Sequence, residues 1–246
     1  GGKNLKTKIK IGVPKEYFDV EGLDEEVRKI VKKKIEEVET QNFTSLQFVE
    51  VSLPMTKYAI SVYYIIVPSE DSSNLGRLEG IRYGVRQHGN NLYEMYAKSR
   101  AQGFPEEVKR RIMIGTYALS AGYYEAYYRK AQKVRTLIIQ DFAKVFSEVD
   151  LLITPTSPFP AFKLGEKKAD VLAMYLADIF VSSASVAGIP AISVPAGKTK
   201  KGLPVGLQIM GPRLQEEKIF QFAHLITNYS ATAGSRSLRD CLLFYA

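Results

Sequence analysis

"AISVPAGKTKKGLPVGLQIMG", Ala191 to Gly211, is the stretch on which the reading of the fold turns. Its halves, "AISVPAG" and "LPVGLQIMG", are short apolar runs separated by the basic turn "KTKKG", so they read as two strands closed into a hairpin or close pair. At the other end of the chain, "IKIGVP" (Ile9–Pro14) alternates apolar and small residues and stops at a proline, which marks a strand. Glu25–Thr40 then spaces Val27, Ile30, Val31, Ile35 and Val38 for one helical face, with lysines on the other. "LQFVEVSLP" (Leu46–Pro54) returns to strand. A β-α-β unit at about 9–54, forming a peripheral layer, and a hairpin near the end argue for one α/β unit containing a mixed β-sheet flanked by helices.

The elements between follow the same reading. From Thr56 the pattern is helical: Tyr58–Glu70 leads into the polar turn "SEDSSNL", whose Ser69, Ser72, Ser73 and Asn74 offer helix caps. A loop around "GIRYGVRQHGNN" precedes helices at Leu92–Gln102 and Glu106–Phe146, the second interrupted near Gly115 or Gly122. "VDLLITPTSPFPAF" is a buried strand ending in a proline-rich loop. "ADVLAMYLADIFVSSASVAGIP" is one helix that ends at Gly188 and Pro190. "QEEKIFQFAHLITNY" is a closing helix, and residues 229–246 lose its rhythm and read as a divergent tail.

Composition narrows the function classes. The 246 residues are 46% hydrophobic, enough for a sizeable core within one large domain. No apolar run approaches the roughly 18 residues of a membrane span, so a soluble chain with no membrane partner is expected. The single Cys241 forbids an internal disulfide and fits a reducing compartment. A formal charge of +8 suits a polyanionic partner, or a solvated basic face. "GGKNLKTKIKIG" has neither an initiator methionine nor the apolar core of a signal peptide, which points to a fragment or a processed product.

Several chemistries are excluded by what is missing. "AGKT" (Ala196–Thr199) ends like a phosphate-binding loop, but the glycine required five residues before Gly197 is Ile192, so the loop cannot curl its amides round a phosphate. His88 and His224 are far apart and in no ligand-spaced cluster, which argues against a metal site. No G-x-S-x-G elbow occurs, and no catalytic nucleophile can be nominated in this chain.

Three polar features stand where apolar residues are expected. Arg111 heads a hydrophobic helix in "KRRIMIG", Asp178 interrupts "MYLADIFVSSASVAG", and Tyr63 and Tyr64 lie in "SVYYIIVPSE". A buried lone charge is costly, so each must be paired or face a polar ligand. A free amino acid needs one fixed cation for its carboxylate and one fixed anion for its ammonium, which Arg111 and Asp178 could supply. Equally, both could serve structural pairs or caps.

The blocks "SVYYIIVPSEDSSNLGRLEGIRYGVR", "GFPEEVKRRIMIGTYALSAGYYEAYYRKAQKVR", "DLLITPTSPFPAF" and "AGIPAISVPAGKTKKGLPVGLQIMG" resemble the C-terminal half of the amidase-signature family. Within it they are similar to the A-subunit group of the glutamyl-tRNA(Gln)/aspartyl-tRNA(Asn) amidotransferases, over about Ile9 to Thr227. The resemblance implies that residues 1–228 are the C-terminal portion of an amidase-signature domain and belong to a glutaminase subunit. Such a protein hydrolyses glutamine and supplies ammonia for converting Glu-tRNA(Gln) or Asp-tRNA(Asn). The resemblance also implies the amidotransferase B and C subunits as partners in a three-part complex, with mischarged tRNA met through that complex. ATP and Mg2+ would be used by a partner, with no cofactor in this chain. A location in the cytoplasm or an organellar matrix is implied too. The family's Ser-cis-Ser-Lys triad has no counterpart here and is expected in the absent N-terminal half, leaving this chain inactive alone.

What carries over is the glutamine-holding side. By position in the blocks it falls on Tyr63, Arg111 and Asp178, with Tyr64 and Arg110 as substitutes if the register slips by one. Arg111 would grip the α-carboxylate, Asp178 the α-ammonium, and the Tyr63 hydroxyl would orient the ligand. Glu70 and Ser72–Leu75 would line or brace the pocket, and Pro155–Pro158 would shape a loop at its mouth. Tyr117, Tyr123, Tyr124, Tyr127 and Tyr128 are expected to pack their rings on the sheet and neighbouring subunits, with their hydroxyls on polar partners. A general small-amide amidase and an inactive binding or assembly module are the alternatives. A simple amide has no zwitterion to grip, which argues against the first.

Overall fold

The computed structural model describes residues 9–40, 46–166 and 171–232, with residues 171–173 and 228–232 as backbone only. The chain forms two compact units, one from residues up to 60 together with 136 onward, the other from residues 61–135. The sheet belongs to the first unit. The second, among the described residues, is helical.

In the first unit, strands β1 (Ile9–Pro14), β2 (Leu46–Val51), β3 (Leu151–Pro155), β4 (Ala191–Lys198) and β5 (Pro204–Met210) form one sheet in the order β2-β1-β3-β5-β4. β1 runs parallel to β2, with Ile9 opposite Leu46 and Pro14 opposite Val51, and parallel to β3. β3 and β5 are antiparallel, as are β5 and β4. The sheet is therefore mixed, as expected. β2 lies at an edge of the sheet, while β1 lies between it and β3. Every residue of β3 is buried, consistent with its unbroken apolar run at the centre of the sheet.

Helix α1 (Glu25–Thr40) has the predicted bounds. Asp24 starts it by accepting from the amides of Glu26 at 2.8 Å and Val27 at 3.1 Å. Val27, Val31, Ile35 and Val38 are buried, but so is Lys34, a departure from the all-solvent lysine face. Burial pulls its ammonium pKa down, Glu37 opposing, while a long apolar stem allows the residue to share the core stripe. The "KTKKG" turn closes the β4–β5 hairpin: Thr199 donates its amide to Leu203 and accepts from the Leu203 amide with its hydroxyl. "AGKT" is thus strand and hairpin turn, not a phosphate loop. Helix α8 (Glu216–Thr232) closes the unit with Ile219, Phe222 and Ile226 buried. It continues the helical rhythm to Thr232. The remainder of the expected tail lies outside the described residues, as does Cys241.

The helix expected as one piece through Asp178 is two. α6 (Val171–Leu176) and α7 (Val181–Ala187) are separated by a turn at residues 177–180, in which the amides of Ala177, Asp178 and Ile179 bond three residues back. The bonding there tightens from four residues back to three, which separates the two helices. α7 ends as predicted: Gly188 adopts φ 69° and ψ 38°, a left-handed cap that favours glycine, and its amide bonds back to Ala184 and Ser185.

In the second unit, helix α2 (Ala59–Asn74) runs further than expected and contains Pro68. The serines read as caps extend it instead: Ser69 and Ser72 donate their hydroxyls to the carbonyls of Ile65 and Ser69, on their own helix. α3 (Leu92–Gly103) follows the predicted loop and is capped by Asn91, which accepts from the Glu94 amide at 2.9 Å, while Glu94 accepts from the Asn90 amide. α4 (Glu106–Leu119) ends at a turn through Gly122, and a π-helical turn (Glu125–Arg129) leads into α5 (Lys130–Phe146), whose residues from 136 on belong to the first unit. The interruption therefore falls at Gly122 and not at Gly115.

Candidate functional site

Gly115 has a different task. A Cβ built on it would lie 1.8 Å from the Pro68 carbonyl oxygen, 2.4 Å from the Pro68 carbonyl carbon and 2.8 Å from the Ser69 nitrogen. Only hydrogen fits, so α4 meets α2 backbone to backbone at this point. Arg111 lies one turn before Gly115 and Tyr64 one turn before Pro68. The close approach thus brings Arg111 and Tyr64 together: the guanidinium carbon sits 5.7 Å from the centre of the Tyr64 ring, a cation–π contact. Tyr63 braces that ring edge-on, with centroids 5.1 Å apart and planes at 79°.

The doubled arginine resolves into two environments. Glu107 receives both: its Oε1 accepts from Arg111 Nε at 3.1 Å and its Oε2 from Arg110 Nη1 at 2.6 Å. Arg110 is 47% exposed and Arg111 only 28%, so Arg111 is the one drawn into the protein. Burial opposes its charge, but the Glu107 hydrogen bond and the neighbouring Tyr64, Glu107 and Tyr63 outweigh burial and raise its pKa, so it stays a cation. Among the described residues, no hydrogen bond reaches its Nη1 or Nη2. Of the sequence-selected residues, Tyr63, Tyr64 and Arg111 are therefore brought together.

Asp178 belongs to the other unit and sits half-buried on the α6–α7 turn. The turn is fixed at both ends. The Asp178 carbonyl accepts from the Ser182 amide at 2.9 Å and the Ser182 hydroxyl at 2.7 Å. Two residues on, Phe180 is buried against the Tyr17 ring, centroids 5.4 Å apart. The Phe180 carbonyl accepts from the Ser183 hydroxyl at 3.1 Å and from Gln208 Nε2 at 3.3 Å, and Gln208 also donates to Thr154. Tyr17 and Ser183 are joined through their hydroxyls. Burial drives the Tyr17 pKa far up, with the Ser183 bond opposing, so its phenol stays neutral.

Sequence reading missed Tyr17, Ser183 and Gln208. A signal existed for Gln208 alone, a polar residue in the middle of the apolar strand "VGLQIM". Among the described residues, Ser72 bonds only to its own helix. The "PTSP" loop is tied to two neighbouring segments: Thr156 hydrogen-bonds Ser193 at 2.7 Å, and Pro158 accepts from the Asp24 amide at 2.8 Å.

Tyr117, Tyr123, Tyr124 and Tyr127 are exposed and pack on one another, with Tyr117 and Tyr123 centroids 4.3 Å apart and Tyr124 and Tyr128 5.5 Å apart. The turn at Gly122 folds Tyr123 back onto Tyr117. Three of the five hydroxyls are seen with polar partners: a bond with Tyr123 pushes the Tyr117 pKa up to about 12, and Tyr128 accepts from Gln132. His88 is exposed, and the described residues contain no group of three metal-ligating side chains. No helix among them is long and apolar enough to cross a membrane.

A mixed five-stranded sheet flanked by helices, and a helical unit presenting a half-buried arginine, define an α/β domain of the amidase-signature type. The chain belongs to the amidase family, whose model matches residues 1–220. It is 58% identical over 223 residues to the glutamyl-tRNA(Gln) amidotransferase A subunit of Thermodesulfovibrio yellowstonii, covering 91% of this chain and 45% of that protein. It is 56% identical to the corresponding A subunit of Koribacter versatilis, covering 89% and 45%. The crystal structure of the glutamyl-tRNA(Gln) amidotransferase A subunit from Thermotoga maritima superposes with a TM-score of 0.66 at 40% identity, over 89% of this chain and 42% of that one. Kluyveromyces lactis allophanate hydrolase, at 17% identity and a TM-score of 0.67, covers 90% of this chain and 32% of its own and shares the fold alone. The chain spans about half the length of the curated relatives it matches.

Proposed function

We propose that this chain is the glutamine-holding portion of a glutaminase subunit in a tRNA-dependent amidotransferase. The observation that carries the reading is the 58% identity to a glutamyl-tRNA(Gln) amidotransferase A subunit, which extends across nearly the whole chain. The outer edge of Arg111, which carries no hydrogen bond among the described residues, supports the role assigned to it. In this reading Arg111 takes the α-carboxylate of glutamine in a two-pronged, charge-assisted contact, Asp178 accepts from the α-ammonium, and Tyr63 orients the ligand by its hydroxyl. Holding both ends of the zwitterion fixes the side-chain amide for attack by a nucleophile. That nucleophile belongs to a Ser-cis-Ser-Lys triad in a portion of the protein outside this chain. The ammonia released is used by the partner B and C subunits, with ATP and Mg2+, to amidate Glu-tRNA(Gln) or Asp-tRNA(Asn). The complex works in the cytoplasm or an organellar matrix.

The test is glutamine hydrolysis by the intact subunit in complex with its partners. Arg111→Ala or Asp178→Ala each removes a charged hydrogen bond and raises the apparent KM for glutamine about 10- to 100-fold. An unchanged KM in both variants would show that neither residue holds the ligand.

A further inference from the structure

Arg111 is not a loose side chain. Glu107, one helical turn earlier, fixes its Nε edge at 3.1 Å, and is itself anchored by Arg110 at 2.6 Å. The guanidinium carbon lies over the Tyr64 ring, 5.7 Å from its centre, and Tyr63 meets that ring edge-on. One edge of a planar group is thus fixed and its carbon held over a ring, and the remaining Nη1/Nη2 edge is the one without a hydrogen bond among the described residues. Arginine loses more rotamer freedom on being fixed than almost any other residue. Fixing it before the ligand arrives removes that cost from binding.

We propose that Glu107 and Tyr64 are positioning residues that present the Nη1/Nη2 edge of Arg111 to the α-carboxylate of glutamine. This rests on the glutamine-holding reading of Arg111 given above. The charge and the geometry of Glu107 act in opposite directions. Its negative charge weakens the attraction of Arg111 for another carboxylate, while its acceptor oxygen aims the fork. Removing the charge alone and removing the acceptor must therefore have different consequences.

The experiment uses the intact subunit with its partners and compares L-glutamine with L-glutamine methyl ester, which keeps the amide and the ammonium but not the carboxylate. Glu107→Ala raises the glutamine KM about two- to fivefold, the range of a close ion pair, leaves kcat unchanged and leaves the ester unaffected. Glu107→Gln, which keeps an acceptor for Nε, returns the glutamine KM to the parent value or below. Tyr64→Leu behaves like Glu107→Ala, and Tyr64→Phe, which keeps the ring face, behaves like the parent. Equal losses on glutamine and ester, or a Gln variant as impaired as the Ala variant, overturn the proposal. Arg111→Ala separates the two layers. If it leaves the preference for glutamine over the ester intact, the reading of Arg111 itself fails. If it collapses that preference while the Glu107 and Tyr64 variants retain it, only the positioning roles fail.

Discussion

Gly115→Ala tests whether the α2–α4 approach builds the Arg111 site. The added methyl would stand 1.8 Å from the Pro68 oxygen, where real contacts essentially never fall below 3.0 Å, a shortfall of about 1.2 Å. All three nearest atoms are backbone, so no side chain can rotate away. The helices must part. Alanine in a helix gains about 1 kcal/mol over glycine, whereas overpacking a filled interior costs about 1–3 kcal/mol. The net expectation is a loss of up to about 2 kcal/mol, or a fall in melting temperature of about 4–8 °C for a protein of this size. Because Arg111 and Tyr64 lie one turn along from the contact, the same separation carries their 5.7 Å cation–π distance past the roughly 6 Å limit of such contacts. Thermal unfolding followed by circular dichroism, with the glutamine KM of the intact subunit, reads both effects. Gly76→Ala is the control: nothing lies within 4 Å of its added Cβ, and its melting temperature should match the parent. A Gly115→Ala protein that melts at or above the parent temperature with an unchanged KM would refute the argument.

The remaining expectations concern the turn that carries Asp178 and the location of the nucleophile. Tyr17→Phe loses the Ser183 bond at a cost of about 1 kcal/mol in denaturant unfolding. The folded-state pKa of Tyr17 is raised by burial, so its contribution is complete below the ordinary tyrosine pKa of about 10 and is lost as pH rises beyond it. Denaturation midpoints at about pH 8 and pH 11 should therefore differ more in the parent than in the Phe variant. Gln208→Leu strips the side-chain amide from Thr154 and the Phe180 carbonyl inside the protein and costs about 1–3 kcal/mol. The glutamine KM should rise with it, since the Asp178 turn loses an anchor; an unchanged KM would detach Gln208 from the site. The chain by itself should release no ammonia from glutamine, and measurable turnover would place a nucleophile within these residues.

The sheet was legible because its strands carry their own signals. Apolar runs bounded by Pro and Gly at Ile9–Pro14, Leu46–Val51, Leu151–Pro155 and Ala191–Met210 needed no tertiary knowledge to be found. Helix breaks were legible only where the backbone enforces them. Gly188, held at φ 69°, was found, whereas the change from bonding four residues back to three at residues 177–179 was missed because no residue there marks it. Gln208 and Tyr17 reach the turn from β5 and from the segment after β1, and no local window contains them. Lys34 escaped for a related reason: hydrophobic periodicity counts residue types, and a lysine stem can fill an apolar stripe while its charge escapes.

The arginine site shows how a local misfit becomes informative once its surroundings are known. "KRR" heading an apolar helix is a conflict between residue type and expected burial, and such conflicts concentrate at functional places. Sequence alone leaves Arg110 and Arg111 equivalent. What separates them is the face of α4 that Gly115 turns toward Pro68, because a residue four positions earlier on that face must meet α2 one turn earlier as well. Arg111 satisfies that spacing and Arg110 does not. Gly115, read from sequence only as a possible helix break, is therefore the residue that selects between the two arginines. It does so through an absent side chain, since any Cβ at that position would hold the Tyr64 ring away from the guanidinium it supports.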